Sequence, residues 1–302
     1  MNYRNIIKSQ KARRYILNIL SFIPDRPMLQ MQYYIQLGRK LNLKNPKRYT
    51  EKIQLYKLKY RNPKMIECVD KWDVREYIRE KGYGSILNHS YGVYENVDEI
   101  DFASLPEQYV LKDTLGGGGN SIVIVKERLQ ESELLQIKTR LKQWMNRPFR
   151  RPTDGREWPY YSGKKHRIII ESFIDEASEG LTDYKFFCFH GEIACVYVIA
   201  DRKLGQHGSL AIMSRDFTRL PFQSATQAIM ENDPIKPINY EYMIKIAEDL
   251  SKDFPHVRVD LYNVNGTVIF GELTFFGASG YQKFEPDTFD YILGEKFLTD
   301  FA

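Results

Sequence analysis

The sequence predicts an α+β protein, in which pairs of antiparallel strands alternate with amphipathic helices. Two segments, 184–200 and 257–275, are rich in β-branched and aromatic residues, and a short turn interrupts each of them, which indicates two hairpins. Between them, residues 240–254 carry one apolar stripe at helical spacing. A further strand pair within 109–125 encloses four consecutive glycines.

The composition is that of a globular protein. The chain has 302 residues, of which 43% are hydrophobic and 14% aromatic, enough for one large core or two to three subdomains. The three cysteines form no CxxC pair, so neither a disulfide framework nor a thiolate metal site is predicted. The first residues do not resemble a secretory signal, and the longest apolar stretch, 15–24, is too short to cross a bilayer. We therefore expect a cytoplasmic protein.

Positive charge is concentrated at the start of the chain. Residues 1–65 contain 16 Lys and Arg but only two acids, a net charge of +14, and since the whole chain carries +5, the remainder carries −9. Such a block can bind a polyanion, whether anionic lipid, an acidic glycan or nucleic acid. It can equally be a solvated helical face that balances the acidic body of the protein. The sequence leaves both interpretations open.

The first third of the chain is predicted to be mostly helical. Residues 6–23 have apolar side chains partly at helical spacing, with arginines among them, which indicates a basic amphipathic helix. A second helix begins after Thr50 as its N-cap and ends before the Asn-Pro pair at 62–63. A third extends from about Cys68 to Glu80, where a Lys-Gly pair provides a stop.

The four glycines at 116–119 follow the strand that carries Lys112. Glycine costs backbone entropy and offers no side chain to bury, so a run of four indicates close approach to a ligand rather than a core. Its N–H groups can fold over phosphate oxygens, and the Lys112 ammonium can reach the same oxygens. The pattern is neither a Walker A loop nor a Rossmann turn. An ordinary flexible turn is the alternative.

Two acids of the last predicted hairpin, Asp260 and Glu272, are candidates for a magnesium site. A two-residue turn at 265–266 would point them to opposite faces. A three-residue loop would instead set Arg258 opposite Glu272 and make Asp260 a diagonal neighbour, with Thr274 on the same face. The site therefore requires the three-residue loop. The alternative is a solvent-exposed face with an Arg–Glu pair.

Six stretches carry a family resemblance: RYTEKIQLYKL, VDKWDVREYI, YVLKDTLGGGGN, IIESFI, DYKFFCFHGEI and RVDLYNVNGTVIFGELTFFGASG. In this order they resemble the TupA-like branch of the ATP-grasp superfamily, over about 45–294. The resemblance implies an ATP-grasp fold, in which two α+β subdomains clamp ATP. A basic helical N-terminal segment precedes them in the sequence. The resemblance divides the chain into that segment (1–65), a region with the glycine loop (66–175) and a region with the metal site (176–302).

The resemblance also implies residues that bind the nucleotide. Two lysines would contact phosphates, four glycines would form a lid over them, and two residues of IIESFI would bind adenine and ribose. These residues are Lys71, Lys112, Gly116, Gly117, Gly118, Gly119, Glu171 and Ile174. In place of the His-Gly-Ser-Gly style of loop that is usual in the family, this chain has Leu115 followed by glycines.

On the reacting side, the resemblance implies an acidic and basic set drawn from three segments. Asp183 and Lys185 resemble the Asp-x-Arg/Lys element of amino-acid ligases and, being two apart, share one face of a strand. The other members are two arginines for the transferring phosphoryl group and the acyl phosphate, and three metal ligands. These are Arg202, Arg258, Asp260, Glu272 and Thr274, of which Thr274 replaces the asparagine of related ligases.

The function implied by the resemblance is an ADP-forming carboxylate–amine ligase that uses ATP and Mg²⁺. Its expected substrates are a hexuronic acid of a bacterial capsular or other surface polysaccharide and an amino acid or amine. The basic segment would suit an acidic glycan or the inner face of the membrane, and no nucleic acid is expected. The alternatives are a glycosyltransferase or a glycan kinase of the same pathway, or a non-catalytic polyanion binder.

Overall fold

The computed structural model describes residues 19–117, 119, 121–146, 155–174, 181–200 and 208–301. In these ranges the helices are α1 (Asp25–Leu37), α2 (Tyr49–Lys59), α3 (Lys64–Cys68), α4 (Val74–Glu80), α5 (Glu131–Met145), α6 (Tyr240–Ser251) and α7 (Thr288–Lys296). The strands are β1 (Ser90–Tyr94), β2 (Tyr109–Asp113), β3 (Ile122–Val125), β4 (Ile168–Ser172), β5 (Asp183–Phe189), β6 (Glu192–Ala200), β7 (Ser209–Met213), β8 (Gln223–Ser224), β9 (Ala228–Ile229), β10 (His256–Val264), β11 (Thr267–Thr274) and β12 (Phe284–Glu285). The predicted α+β class is confirmed.

The smaller of the two main sheets is antiparallel, with the strand order β1-β4-β2-β3. One face carries Leu111 and Ile170, which are fully buried in a core shared with Leu141 of α5. Because side chains alternate across a strand, Lys112 and Glu171 lie on the opposite face. This small sheet therefore presents a charged face away from its own core.

The large sheet has the strand order β11-β10-β5-β6-β7-β9. Its back is covered by α6, where the Phe186 and Tyr240 rings are 6.2 Å apart. Its other side, which we call the site face, carries the odd-numbered residues of β5, from Asp183 and Lys185 to Phe187. The face thus changes along one strand from charged to aromatic.

Helix α2 covers the aromatic end of the site face. The Tyr49 ring lies 6.3 Å from that of Phe187 and 5.9 Å from that of Phe189, in edge-on geometry. Helix α7 packs beside α2, where Gly294 lies against the backbone at Lys47. Part of the basic N-terminal region therefore packs against the large sheet. These two helices cover the aromatic end of the site face and not its charged end.

Several basic side chains of this region have internal partners. Lys52 Nζ donates to the Gly294 and Phe297 carbonyls at the end of α7, at 2.7 and 2.8 Å. Arg48 pairs with Asp287 at 2.5 Å, and Lys57 is buried and donates to the Ser279 carbonyl at 2.7 Å. These cations therefore stabilise the folded structure. Neither of the two interpretations of the charge block included this role.

Two of the helix predictions are wrong, and a third lies mostly outside the described residues. Thr50 is not an N-cap, because α2 begins one residue earlier and the Glu51 side chain closes a capping box on the Arg48 N–H at 3.1 Å. The predicted helix over 68–80 is instead the last residue of α3, a turn and α4. Asp70 Oδ1 accepts the N–H groups of Trp72 and Asp73 at 2.9 and 3.1 Å, which interrupts the helix. The predicted helix over 6–23 lies mostly outside the described residues, and 20–22 form a 3₁₀ turn.

Candidate active site

The register of the last hairpin brings its acids together by a route that the sequence did not predict. Asn265 and Gly266 have φ values of 51° and 87° and form a two-residue turn, with Val264 opposite Thr267, so the predicted three-residue loop is wrong. A β-bulge at Gly271 then shifts the register by one residue. Asp260 therefore lies directly opposite Glu272, and both acids are on the site face.

The bulge also changes the partner of Arg258. Its strand partner is Thr274, not Glu272 as the predicted register required. The guanidinium grips Asp260, with Nε 2.6 Å from Oδ1 and Nη2 2.7 Å from Oδ2. The same Nη2 is 3.0 Å from Thr274 Oγ1 and 3.4 Å from Glu272 Oε1. One arginine therefore organises all three predicted metal ligands.

Lys185 extends this arrangement onto β5. Its Nζ lies 2.5 Å from Asp260 Oδ2 and 2.5 Å from Asp183 Oδ2. Asp183 and Asp260 have only 2% of their side chains exposed, whereas Glu272 has 42%. Buried carboxylates need such partners, because an unpaired charge there would be costly. Glu272 is thus the acid of this group that faces solvent.

The positive neighbours determine the charge state of the site. Burial raises the pKa of Glu272, but Lys71, Arg258 and Lys185 outweigh it and lower the pKa to about 2. Burial also lowers the pKa of the Arg258 guanidinium, but the adjacent Asp260 and Glu272 carboxylates more than compensate and raise it. Glu272 is therefore an anion and Arg258 a cation at any physiological pH.

This lowered pKa predicts an acid dependence of stability. A carboxyl whose folded pKa lies below its unfolded value of about 4.3 stabilises the fold above that pH and loses its effect as the pH falls towards 2. We expect wild-type protein to resist urea better than Glu272→Gln at pH 6, with the difference shrinking below about pH 4.5. Urea midpoints of both proteins from pH 6 to 3 measure this. A constant difference over that range contradicts the prediction.

Lys71 connects the acids to the glycine loop. It lies in the turn between α3 and α4, where its N–H donates to the Thr114 carbonyl at 2.9 Å. Its Nζ donates to the Gly116 carbonyl at 2.5 Å, and its charge contributes to the low pKa of Glu272. The interruption of the predicted helix is what brings this lysine to the loop.

The first glycine of the loop, Gly116, has no room for a side chain. A Cβ added to Gly116 would lie 2.5 Å from the Ser121 Cβ, a distance that real side chains do not adopt, whereas one added to Gly117 would meet nothing within 4 Å. Gly119 has a φ of 74°, a conformation that favours glycine. Gly118 lies outside the described residues, as does Arg202.

Lys112 and Glu171 form an ion pair on the small sheet. Lys112 Nζ lies 2.7 Å from Glu171 Oε2, and Arg75 of α4 reaches the other oxygen at 3.2 Å. Arg75 lies in the VDKWDVREYI stretch, but the sequence pattern predicted no role for it. Ile174 follows β4 and is half-buried. The predicted nucleotide residues thus lie on the charged face of the small sheet and around Lys71.

The described residues contain neither a ready-made metal cluster nor a membrane-spanning helix. No group of three or more His, Cys, Asp and Glu side chains in this part of the chain is arranged to hold a metal ion. None of the helices in the described ranges combines the length and apolarity that a bilayer span would need.

Two β-sheets with charged faces, a glycine loop at the edge of one and acids with an arginine on the other, define an ATP-grasp protein. The chain belongs to the TupA-like ATPgrasp family, whose model matches residues 51–298. No sequence relative was found among curated proteins.

Solved structures with a similar fold include three ligases, each at most 16% identical to this chain. The D-alanine–D-alanine ligase of Bacillus anthracis complexed with ATP is 16% identical, covering 69% of this chain and 55% of that one, with a TM-score of 0.40. The L-amino acid ligase of Bacillus licheniformis is 14% identical (76% and 50% covered, TM-score 0.45). The D-alanine–D-alanine ligase of Helicobacter pylori is 16% identical (82% and 69% covered, TM-score 0.44). The chain spans about half the length of the first two.

Proposed function

We propose that the protein is an ADP-forming ligase that activates a carboxylate with ATP and joins it to an amine. The observation that carries the proposal is the set formed by Arg258, Asp260 and Glu272, aligned on one sheet face by the bulge. Lys71 ties this set to a glycine loop suited to cover phosphates. Membership of the TupA-like ATPgrasp family supports the same class of reaction.

In the proposed reaction, a substrate carboxylate oxygen attacks the γ-phosphorus of ATP, and the bond to the β-phosphate oxygen breaks to release ADP. An amine then attacks the carbonyl carbon of the acyl phosphate, and phosphate leaves. Both steps spread negative charge over phosphoryl oxygens, which fixed cations stabilise. Arg258 and Lys185 are placed at the acids for this, and Lys71 and Lys112 are the candidates for the other phosphates.

The donor set on the site face fits Mg²⁺. Magnesium binds through one or two carboxylates, with phosphate oxygens and waters completing its coordination, so a larger protein cluster is not required. Glu272 and Asp260, with the Thr274 hydroxyl on the same face, would hold it. When bound, it would neutralise charge on the phosphates during transfer. The part of this chain is to keep Glu272 ionised and the two carboxylates aligned, which the surrounding cations achieve.

The finer substrate assignment rests on the family resemblance and on charge. We propose a hexuronic acid of a bacterial surface polysaccharide as the carboxylate and an amino acid or amine as its partner. The exposed cations near the N-terminus, such as Arg26, Lys40 and Lys44, would favour an acidic glycan or the inner surface of the membrane. A cytoplasmic location suits the use of ATP.

ADP release from the purified protein tests the proposal. We expect release with Mg²⁺-ATP to require both D-glucuronate and an amine, for which glycine, L-glutamate and L-alanine serve as probes. Hydroxylamine in place of the amine should trap an acyl phosphate as a hydroxamate. Release with a hydroxyl acceptor alone would instead indicate a glycan kinase. No release with any acceptor would favour a glycosyltransferase or a polyanion binder.

A further inference from the structure

The outward face of α1 is apolar. Four exposed residues recur at i, i+4, i+7 and i+8, the spacing that places side chains on one side of a helix: Pro27, Met31, Tyr34 and Ile35. Tyr34 alone has 59% of its surface exposed. The outward side of a surface helix normally carries polar residues. This stripe therefore indicates a partner outside the described fold.

The opposite side of α1 fixes the helix in this orientation. Leu29 and Tyr33 are fully buried, and the Tyr33 hydroxyl lies 2.8 Å from Thr50 Oγ1 of α2. At the first turn, Asp25 Oδ1 accepts a hydrogen bond from Arg156 Nη1 at 2.9 Å, and Arg156 has only 1% of its side chain exposed. A rotation of α1 that buried its apolar stripe would break these contacts.

More apolar surface precedes the helix. Ile19 is 55% exposed, and Phe22, in the 3₁₀ turn before α1, is 77% exposed. Five of the thirteen large hydrophobic side chains that are exposed in the described residues lie within 19–35. Single exposed apolar residues are normal, but such a concentration marks an interaction site. We call the six apolar residues of this segment the α1 surface: Ile19, Phe22, Pro27, Met31, Tyr34 and Ile35.

The charge around the α1 surface has one sign. The only acid between residues 19 and 48 is Asp25, which is paired with Arg156. Four cations of this stretch are exposed and form no ion pair within the described ranges: Arg26, Lys40, Lys44 and Lys47. Arg26 lies in the first turn of α1, and Lys40 follows the C-cap at Gly38. Cations therefore flank the apolar stripe at both ends of the helix.

We propose that the α1 surface binds a lipid bilayer whose headgroups are anionic. The cations would lie among the headgroups, while Phe22, Met31 and Ile35 would enter the boundary between headgroups and acyl chains. A bilayer of this kind is negative outside and apolar beneath, which complements an apolar stripe between cations. The inference chooses between the two partners, acidic glycan and membrane, that the exposed cations alone allow, and it does not depend on the ligase reaction.

The apolar side chains are what favour a bilayer over a glycan. Sugars present hydroxyl and carboxylate groups and make apolar contact mainly by stacking on aromatic rings. Met31 and Ile35 offer no such ring, and burying them gains free energy only where water is replaced by an apolar medium. A second copy of this chain is also disfavoured, because it would bring the same exposed cations together.

The buried side of α1 connects the proposed membrane contact to the active site. The Tyr281 hydroxyl donates to Gln32 Oε1 at 2.8 Å, and the Tyr281 and Tyr33 rings lie 6.5 Å apart. Tyr281 belongs to the segment that follows β11, the strand of Glu272 and Thr274. Binding through α1 would therefore hold this segment close to the bilayer.

Co-sedimentation of the full-length protein with lipid vesicles tests this inference. We expect wild-type protein to bind phosphatidylcholine vesicles that contain about one third phosphatidylglycerol about 100-fold more tightly than vesicles of pure phosphatidylcholine, because several cations are attracted to anionic headgroups. Raising the NaCl concentration from about 0.05 M to about 0.5 M should weaken the binding by screening. The apolar contact should keep it detectable.

Two pairs of substitutions separate the apolar and the charged contributions. Met31→Ser/Ile35→Ser should weaken binding to the anionic vesicles about tenfold, because less apolar area enters the bilayer. Lys40→Gln/Lys44→Gln should weaken it about 20-fold, since each cation near an anionic surface contributes about fivefold.

Matched controls make the same exchanges on other exposed surfaces. Leu135→Ser/Ile235→Ser removes two apolar side chains that are 67% and 89% exposed. Lys245→Gln/Lys296→Gln removes two exposed cations. Both control proteins should bind the anionic vesicles within about twofold of wild type. Urea midpoints equal to that of wild type would show that each variant is folded.

Four results would overturn the membrane assignment. The first is equal binding of wild-type protein to both kinds of vesicle, or binding to neither. The second is unchanged binding by Met31→Ser/Ile35→Ser, which would mean that charge alone acts. Tighter binding to polygalacturonate than to vesicles, lost in both pairs of variants, would assign the α1 surface to an acidic glycan. A wild-type dimer that Met31→Ser/Ile35→Ser dissociates would assign it to a second copy.

The membrane contact and the ligase reaction can fail separately. Vesicle binding requires no ATP, and any ADP release without vesicles should be the same in the α1 variants as in wild type. Absence of vesicle binding would overturn this inference and leave the ligase intact. Absence of ADP release would overturn the ligase and leave the membrane contact intact.

Discussion

Replacement of Glu272 by glutamine is expected to reduce ADP release by about 1,000-fold, corresponding to about 4 kcal/mol of lost stabilisation of the transferring phosphoryl group. Glutamine has the same shape but carries no charge. Glu272 is the acid of the set that faces solvent, with 42% of its side chain exposed, and its pKa of about 2 keeps it ionised. A neutral amide at this position would remove the anionic ligand that we propose for Mg²⁺.

The same variant is expected to fold. Glu272 is half-buried, and Arg258, its nearest cation, retains its two short contacts with Asp260. Circular dichroism at pH 7 and an ADP-release assay on one preparation measure both properties. Glu192→Gln serves as the control for a neutralised glutamate elsewhere on the large sheet. Activity within a few-fold of wild type would remove Glu272 from the site.

Local sequence patterns predicted the strands that carry the site. The Asn-Gly and His-Gly pairs mark hairpin turns at the predicted places, and the apolar stripe of 240–254 became α6. The positions of Asp183 and Lys185 on one face of β5 follow from alternation alone. These features depend on residues that are close together in the sequence, so local patterns were enough to predict them.

The register of β10 and β11 shows where such inference ends. The requirement that Asp260 and Glu272 share a face was satisfied, but the extra residue lies at Gly271, inside the strand. A glycine within a strand is a known sign of a bulge, and a Cβ there would lie 3.0 Å from the Asp260 carbonyl. The sequence therefore contained the signal for the bulge, although the prediction placed the extra residue in the turn at Gly266.

Residues that act through tertiary contacts left no sequence signal. Arg75 reaches Glu171 across 96 positions, and Glu157 reaches Ser279 across 122. Lys57 looked like part of a solvated basic block, yet it is buried and burial lowers its pKa to about 8. The contact of Lys57 with the Ser279 carbonyl is seen only once α2 is packed on the site face.

The largest effect on stability is expected from Arg258→Met. Asp260 has only 2% of its side chain exposed and receives two short hydrogen bonds from this guanidinium. Breaking a buried ion pair by removing one partner typically costs about 3–5 kcal/mol, because the remaining charge loses its compensation. Since Lys185 still contacts Asp260 at 2.5 Å, we expect about 3 kcal/mol. Equilibrium urea unfolding at pH 7 measures this loss.

The double variant Arg258→Met/Asp260→Asn separates the stability effect from the functional one. Neutralising Asp260 removes the uncompensated charge, so the double variant should recover part of the stability that Arg258→Met loses, in a non-additive cycle. ADP release should stay undetectable in both proteins, because neither restores the Arg258 guanidinium beside the phosphoryl group. Additive losses of stability would mean that the two side chains are not coupled, and ADP release from the double variant would exclude Arg258 from phosphoryl transfer. The Arg258–Asp260 ion pair would then both stabilise two buried charges and orient the site that we propose for ATP.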